Sequence, residues 1–220
     1  MAIQLEVWGA YALFTRLEMK VERTSYDVMT PSAARGILEA IYWHPGMRWV
    51  IDQITVCNPI RFTNLRRNEV KNVVNARTAK TVMERGKGEL YLVTSEEIQQ
   101  RAALLLRDVR YVIHAHFEMT ERAAPGDNPG KFQDIIKRRI QRGQCYHTPY
   151  FGCREFPVNF QLCEAVPECP PELRGSRDLG WMLYDMDYSD PNNIQPRFFR
   201  GHLKDGVLQI PPWDSEEVRG

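Results

Sequence analysis

Between Asp108 and Met119 the chain alternates. Tyr111, Ile113, Ala115, Phe117 and Met119 fall on one side of an extended backbone, and Arg110, His114, His116 and Glu118 fall on the other. A segment written this way is a strand with one face in a core and one face left polar, so the chain must build a sheet covered on one side. Ile3 to Trp8 repeats the pattern, and Arg48 to Val56, rich in Trp, Val, Ile and Thr, reads as a further strand continuing past Pro59 to Thr63. Phe151 to Cys163 holds another.

Two segments switch to the helical period and can supply that cover. Thr30-Pro31-Ser32 gives a cap and a first-turn proline, after which Ala34, Ile37, Leu38 and Ile41 recur at helical spacing until His44-Pro45-Gly46, with Tyr42 at the end. Asn128-Pro129-Gly130 opens the second helix. Its Ile135, Ile136 and Ile140 point inward, Lys137, Arg138, Arg139 and Arg142 surround them, and Gly143 stops it. Ser95 is read as the cap of a short helix running through Leu106. Residues 64–90 show no clear period and are too long for a simple connector, so they are expected to be functional or mobile.

The order strand, helix, strand, strand, helix, strand is that of an α+β, ferredoxin-like (RRM) split βαβ domain, expected over residues 1–166. Pro167 to Gly175 holds three prolines in nine residues and marks a boundary. Residues 176–220 are expected to form a small C-terminal antiparallel sheet from Trp181–Tyr188, Pro196–Lys204 and Val207–Ile210, with a turn at Lys204-Asp205-Gly206. At 220 residues the chain can bury a sufficient core without staples. No apolar run is long enough to span a bilayer and the start lacks the marks of a signal peptide, so no membrane association and a cytoplasmic location are expected. The five cysteines form no Cys-x-x-Cys pair, and reduced thiols are the expectation.

The net charge of +1 conceals two basic stretches. Arg61 to Lys87 holds eight Lys or Arg and two acids, and Lys131 to Arg154 holds six and one. Cations gathered in this way call for a polyanionic partner. In the second stretch they lead into Tyr146, His147, Tyr150 and Phe151, and interleaved cations and rings suit single-stranded RNA, whose phosphates pair with the cations and whose bases stack on the rings. Arg61, Arg66, Arg67, Lys71, Lys137, Arg138, Arg139, Arg142, Tyr146 and Arg154 are the candidate RNA-binding residues.

Other motifs are read conservatively. His114 and His116 are taken as part of a polar strand face rather than as metal ligands, because no third ligand stands at a telling spacing. Gly86-Lys87-Gly88 is too little for a phosphate-binding loop, and Cys145-Tyr146-His147 is not taken as a thiol-imidazole pair. Lys131, in the first turn of its helix, sits poorly with the positive helix terminus, and its placement invites an explanation such as a bound phosphate.

Several motifs in register carry a resemblance. They are Gly9-Ala10-Tyr11-Ala12-Leu13-Phe14-Thr15, Ser25-Tyr26, Ala40-Ile41-Tyr42-Trp43-His44-Pro45, Ala115-His116-Phe117-Glu118, Asn128-Pro129-Gly130-Lys131, and the run from Gly143 to Phe156 that contains Tyr146-His147-Thr148-Pro149-Tyr150-Phe151-Gly152. The chain resembles the CRISPR-associated RAMP-type proteins of type I-C systems that process precursor CRISPR RNA, from about residue 3 to about residue 210. The resemblance implies a ferredoxin-like domain with a small C-terminal sheet. It also implies cleavage of CRISPR repeat RNA without metal or other cofactor, and retention of the crRNA 5′ handle. The implied partners are the backbone-forming and large subunits of the type I-C effector complex.

Tyr42 and Lys131 match the family's catalytic tyrosine and lysine. The family histidine that follows the lysine is replaced here by Phe132, whose phenyl ring transfers no proton. His44 and His147 are the two histidines available in its place. Two readings follow: an endoribonuclease that makes and keeps the 5′ handle, and a catalytically inactive subunit that holds the handle after another activity has cut. Non-specific DNA binding is compatible with either, since it uses the same phosphate contacts.

Overall fold

The alternating segment is the second half of one long strand. In the computed structural model, which describes residues 2–19 and 21–220, β4 runs from Ile98 to Met119, 22 residues and roughly 70 Å at about 3.3 Å per residue. It follows β1 (Ala2–Ala12), α1 (Pro31–Ile41), β2 (Met47–Val56), β3 (Phe62–Val70) and α2 (Ala76–Arg85). After it come α3 (Pro129–Gln141), β5 (Asn159–Leu162), β6 (Ser176–Asp187), β7 (Gln195–Lys204), β8 (Val207–Gln209) and β9 (Val218–Arg219).

Among the described residues the architecture is mixed α/β, with three α-helices and a mostly antiparallel nine-stranded sheet whose main path runs β5-β1-β4-β2-β8-β7-β6, with β3 paired to β4 and β9 to β7 off it. The distal half of β4 lies between β1 and β2, in register from Leu5↔Ile113 and Trp49↔Phe117. Its proximal half, Ile98–Leu106, pairs with β3 as a hairpin arm, whose base is held on the other edge where Leu104 bridges Thr24 and Leu106 meets Ala12. The helix expected from Ser95 through Leu106 is therefore absent. Ala102 to Leu106 favour a helix by only a few tenths of a kcal/mol per residue, and a nine-residue ladder against Phe62–Val70 outweighs that preference.

The stretch at 64–90, read as irregular, contains most of β3 and all of α2. Asn75 caps α2 by accepting from the Arg77 and Thr78 N–H groups, and Gly86 closes it at φ 63°. No residue of α2 is buried. β2 ends at Val56, and the segment expected to extend it past Pro59 opens β3 instead. The strand expected within Phe151–Cys163 is Asn159–Leu162, and the residues before it form a loop in which Phe151 and Phe156 turn inward as anchors.

α1 and α3 form where the local signals put them. Thr30 Oγ1 accepts from the Ala33 N–H at 3.3 Å and Asn128 Oδ1 from the Lys131 N–H at 2.9 Å, each followed by a first-turn proline. Both helices bury apolar stripes, Ile37, Leu38 and Ile41 on α1 and Phe132, Ile136 and Ile140 on α3, in one core with Leu5, Val7, Ile113 and Ala115 of the sheet. Each fully buried Leu or Ile is worth about 1.5–3 kcal/mol of apolar transfer. The opposite sheet face is polar and internally paired, as with His116 Nδ1 against Asp52 Oδ1 at 2.8 Å.

The strands after Pro167–Gly175 form an antiparallel group joined to β2 through β8, at Ile54↔Leu208. The Lys204-Asp205-Gly206 turn has φ 48° and 75° at its last two residues, as a tight hairpin requires. Arg35 of α1 holds Asp185 of β6 by two hydrogen bonds of 2.6 and 3.0 Å, which fixes the helix against these strands.

Candidate active site

The end of α1 and the start of α3 meet, and Tyr42 and Lys131, 89 positions apart in sequence, come to the same place. α1 stops because Tyr42 is extended (φ −153°, ψ 124°) and a proline follows His44. The Tyr42 N–H still donates to Leu38 O, and its carbonyl accepts from Trp49 Nε1 at 3.0 Å. Arg139 of α3 donates to the Ile41 carbonyl at 2.7 Å, closing an open helix end, and lays its guanidinium over the Tyr42 ring at 5.1 Å. Burial pushes the Tyr42 phenol above its usual range, opposed by Arg139 and Lys131 and assisted by Asp127. At neutral pH the phenol is therefore an O–H donor.

Lys131 Nζ donates to Asp127 Oδ1 at 2.8 Å. The Asp127 side chain is only 3% exposed, and its Oδ2 also accepts from the Ala124 N–H at 2.9 Å. The Lys131 ammonium, then the Ala124 N–H, hold the Asp127 carboxyl below the usual carboxylate range, and Asp127 in turn raises Lys131. Lys131 is thus a fixed cation, half exposed, at a helix start. Where a bound phosphate was expected to explain the position of Lys131, the structure sets this carboxylate, a residue the sequence reading did not select. Its one sequence signal was the four-residue spacing to Lys131.

Phe132 is wholly buried. Its ring lies 5.0 Å from His44, 6.1 Å from Tyr42 and 6.1 Å from Phe117, centroid to centroid, so it forms the apolar floor of the cluster. His44 stands on that floor with Nδ1 accepting from the Gly46 N–H at 3.0 Å and 3.8 Å from Asp127 Oδ2. His147 is placed otherwise. The N–H groups of Tyr146 and His147 both approach the Ala40 carbonyl, at 2.8 and 3.4 Å, which pins their loop to α1, while the His147 ring neighbours Tyr146 and Tyr150.

The candidate RNA-binding residues fall into two groups. Lys137, Arg138 and Arg142 are exposed on or beside α3, with Tyr146, 86% exposed, in the loop that follows, whereas Arg139 is turned toward Tyr42. Arg61, Arg66 and Lys71 are exposed along or beside β3. Arg67, on the same strand, is engaged by Glu155 at 2.7 Å and Glu69 at 3.5 Å, which ties the arm to the loop that carries Arg154.

Residues 2–211 match the family described as CRISPR-associated protein (Cas_Cas5). A relative from Mannheimia succiniciproducens, named CRISPR pre-crRNA endoribonuclease Cas5d, is 49% identical over 222 residues, covering 99% of this chain and 98% of its own. A protein of the same name from Thermus thermophilus is 36% identical over 234 residues, covering 98% and 94%. Among solved structures, one described as a CRISPR-associated protein aligns with a TM-score of 0.70 at 22% identity, over 100% of this chain and 97% of that one. The Streptococcus mutans protein SMU1763c, described as functionally uncharacterized, aligns with a TM-score of 0.69 at 22% identity over the same shares. These two are likenesses of fold. Matched along nearly its whole length by the family and by both relatives, the chain belongs to the Cas5d family of CRISPR-associated proteins.

Proposed function

We propose that this chain cleaves CRISPR repeat RNA by 2′-OH attack, without a metal ion, and stays on the crRNA 5′ handle as a subunit of the type I-C effector complex. The observation that carries the reading is the convergence of Tyr42 and Lys131 at the junction of α1 and α3, with Arg139 beside them. The endoribonuclease names of both relatives support it. So does the strand order β5-β1-β4-β2 with α1 and α3 as the crossovers, which is the order of a ferredoxin-like domain.

The chemistry follows from the groups. Attack of a 2′-OH on the adjacent phosphorus gathers negative charge on the phosphoryl oxygens, and the Lys131 ammonium, held in place by Asp127, offers a positive charge that needs no reorganisation. Tyr42, kept protonated, donates a hydrogen bond and orients the 2′-OH or a phosphoryl oxygen rather than abstracting a proton. The product is a 2′,3′-cyclic phosphate.

For partners, the β3–β4 arm and α2 leave Val73, Met83 and Tyr91 exposed at 86, 81 and 67% amid basic side chains. Apolar side chains this open favour contact with neighbouring subunits, namely the backbone-forming and large subunits. A second reading, a non-catalytic holder of the handle, is favoured by one observation: Phe132 fills the position of the family histidine with a ring that moves no proton.

Incubation of the protein with labelled cognate repeat RNA, followed by separation of bound and free fragments, tests the two. One cut with the handle-bearing fragment retained supports the first reading, and retention of uncut RNA supports the second. A further prediction concerns the exposed α3 cations. Lys137→Glu, Arg138→Glu and Arg142→Glu together are expected to weaken repeat-RNA binding and to flatten the slope of log affinity against log salt by roughly 2, for three phosphate contacts to a single strand. Unchanged affinity and slope in a salt titration would remove this face from the RNA path and leave non-specific binding, to DNA as well as RNA, to the β3 cations.

A further inference from the structure

Cleavage by 2′-OH attack must protonate the departing 5′ oxygen, and the groups beside Tyr42 are unequal to that task. Lys131 is raised by its pair with Asp127 and holds its protons. The Tyr42 phenol is raised by burial and is a weak acid. Imidazole is the side chain that most often moves protons in enzyme sites, and His44 is the imidazole resting on the same Phe132 floor as Tyr42.

We infer that His44 is the catalytic acid of this site, a deepening of the endoribonuclease reading, with Asp127 as its positioning residue. In the neutral ring the Gly46 N–H, donating to Nδ1 at 3.0 Å, places the proton on Nε2. In the imidazolium Nδ1 becomes a donor, and the Asp127 carboxylate, with Oδ2 3.8 Å away, is the acceptor on that side. Nε2 is the nitrogen left for substrate, and the ring is about one third exposed, with 35% of the side chain accessible. Asp127 thereby faces both side chains at once, Lys131 through Oδ1 and His44 through Oδ2.

The step balances. The 2′ oxygen forms its bond to phosphorus as its proton passes to solvent water, the bond from phosphorus to the 5′ oxygen breaks, and that oxygen takes the Nε2 proton. The 2′,3′-cyclic phosphate and a 5′-hydroxyl remain, and water returns the proton to His44. Phe132 enters only as the surface that sets the angle of the two rings.

The test compares cognate repeat RNA with the same RNA carrying sulfur in place of the scissile 5′ oxygen, because a thiolate leaves without being protonated. His44→Asn keeps an acceptor for the Gly46 N–H but has no proton to give. It is expected to slow cleavage of the all-oxygen RNA by about 10²–10⁴-fold and to cut the sulfur-substituted RNA within about threefold of wild type. Lys131→Ala should slow both. RNA affinity of each variant reports that it is folded, and His44→Ala is read the same way. Equal slowing of both RNAs by a variant that still binds, or no slowing of either, would overturn the inference while wild-type cleavage upholds the endoribonuclease reading. A wild-type protein that cuts neither RNA would overturn both.

Discussion

Replacing Lys131 with alanine is expected to slow cleavage of repeat RNA by about 10²–10³-fold while RNA affinity falls by no more than about tenfold. The asymmetry arises from when the charge is needed. In the ground state Lys131 is one cation among several, with Lys137, Arg138 and Arg142 exposed nearby along α3. In the proposed transition state it is the ammonium placed at the Tyr42 site, fixed by a 2.8 Å hydrogen bond to a nearly buried carboxylate. Lys131→Arg should recover only part of the rate, because a planar fork replaces a compact ammonium and cannot keep the same geometry with Asp127. Single-turnover rates and binding isotherms on the same samples decide the matter. Equal losses in rate and affinity would make Lys131 a phosphate anchor only.

Gly152→Ala is expected to cost at least about 3 kcal/mol of stability, at least about 6–12 °C in melting temperature for a chain of this size. Gly152 has φ +76°, and a Cβ there would lie 2.0 Å from the Leu13 carbonyl oxygen and 2.7 Å from its carbonyl carbon. Both atoms are backbone, fixed where the Leu13 N–H donates to Phe151 O at 3.1 Å, so neither can yield cheaply. This junction binds the 150–157 loop to the end of β1, around the buried rings of Phe14, Phe151 and Tyr111. Gly36→Ala is the matched control. Gly36 is inside α1 with nothing within 4 Å of its Cβ position, and alanine there should stabilise by about 0.4–1 kcal/mol through the unfolded chain. Thermal melts that place both variants within a degree of wild type would refute the packing described at Gly152.

What the sequence disclosed depends on how local the cause is. α1 and α3 were legible because a cap, a first-turn proline and a 3.6-residue stripe are all contained in a dozen residues. The distal half of β4 was legible for the same reason, since one buried and one polar face write a period of two. Its proximal half was not. Ala102 to Leu106 become a strand through pairing with β3, whose own segment is polar and carries no period that could be recognised alone.

At the candidate site, Tyr42 and Lys131 were selected by motif resemblance, not by any periodic signal. Phe132 could have been placed in the core from its spacing, because it precedes Ile136 and Ile140 by one and two turns on the same stripe. Asp127 offered only its four-residue spacing to Lys131, and a carboxylate in a Pro-Gly loop becomes informative when the loop sets it between Lys131 and His44. The choice between His44 and His147 was likewise open in sequence. The loop geometry separates them by turning one toward Phe132 and the other toward Tyr150.

The most direct measurement is the 3′-end chemistry of the product when purified protein meets its cognate repeat RNA in EDTA, with Tyr42→Phe and Lys131→Ala in parallel. One defined cut ending in a 2′,3′-cyclic phosphate, strongly slowed in both variants, is the result expected of a metal-free enzyme built on the α1–α3 junction. Tight binding with no cut, or a cut that both variants make at the wild-type rate, would contradict it.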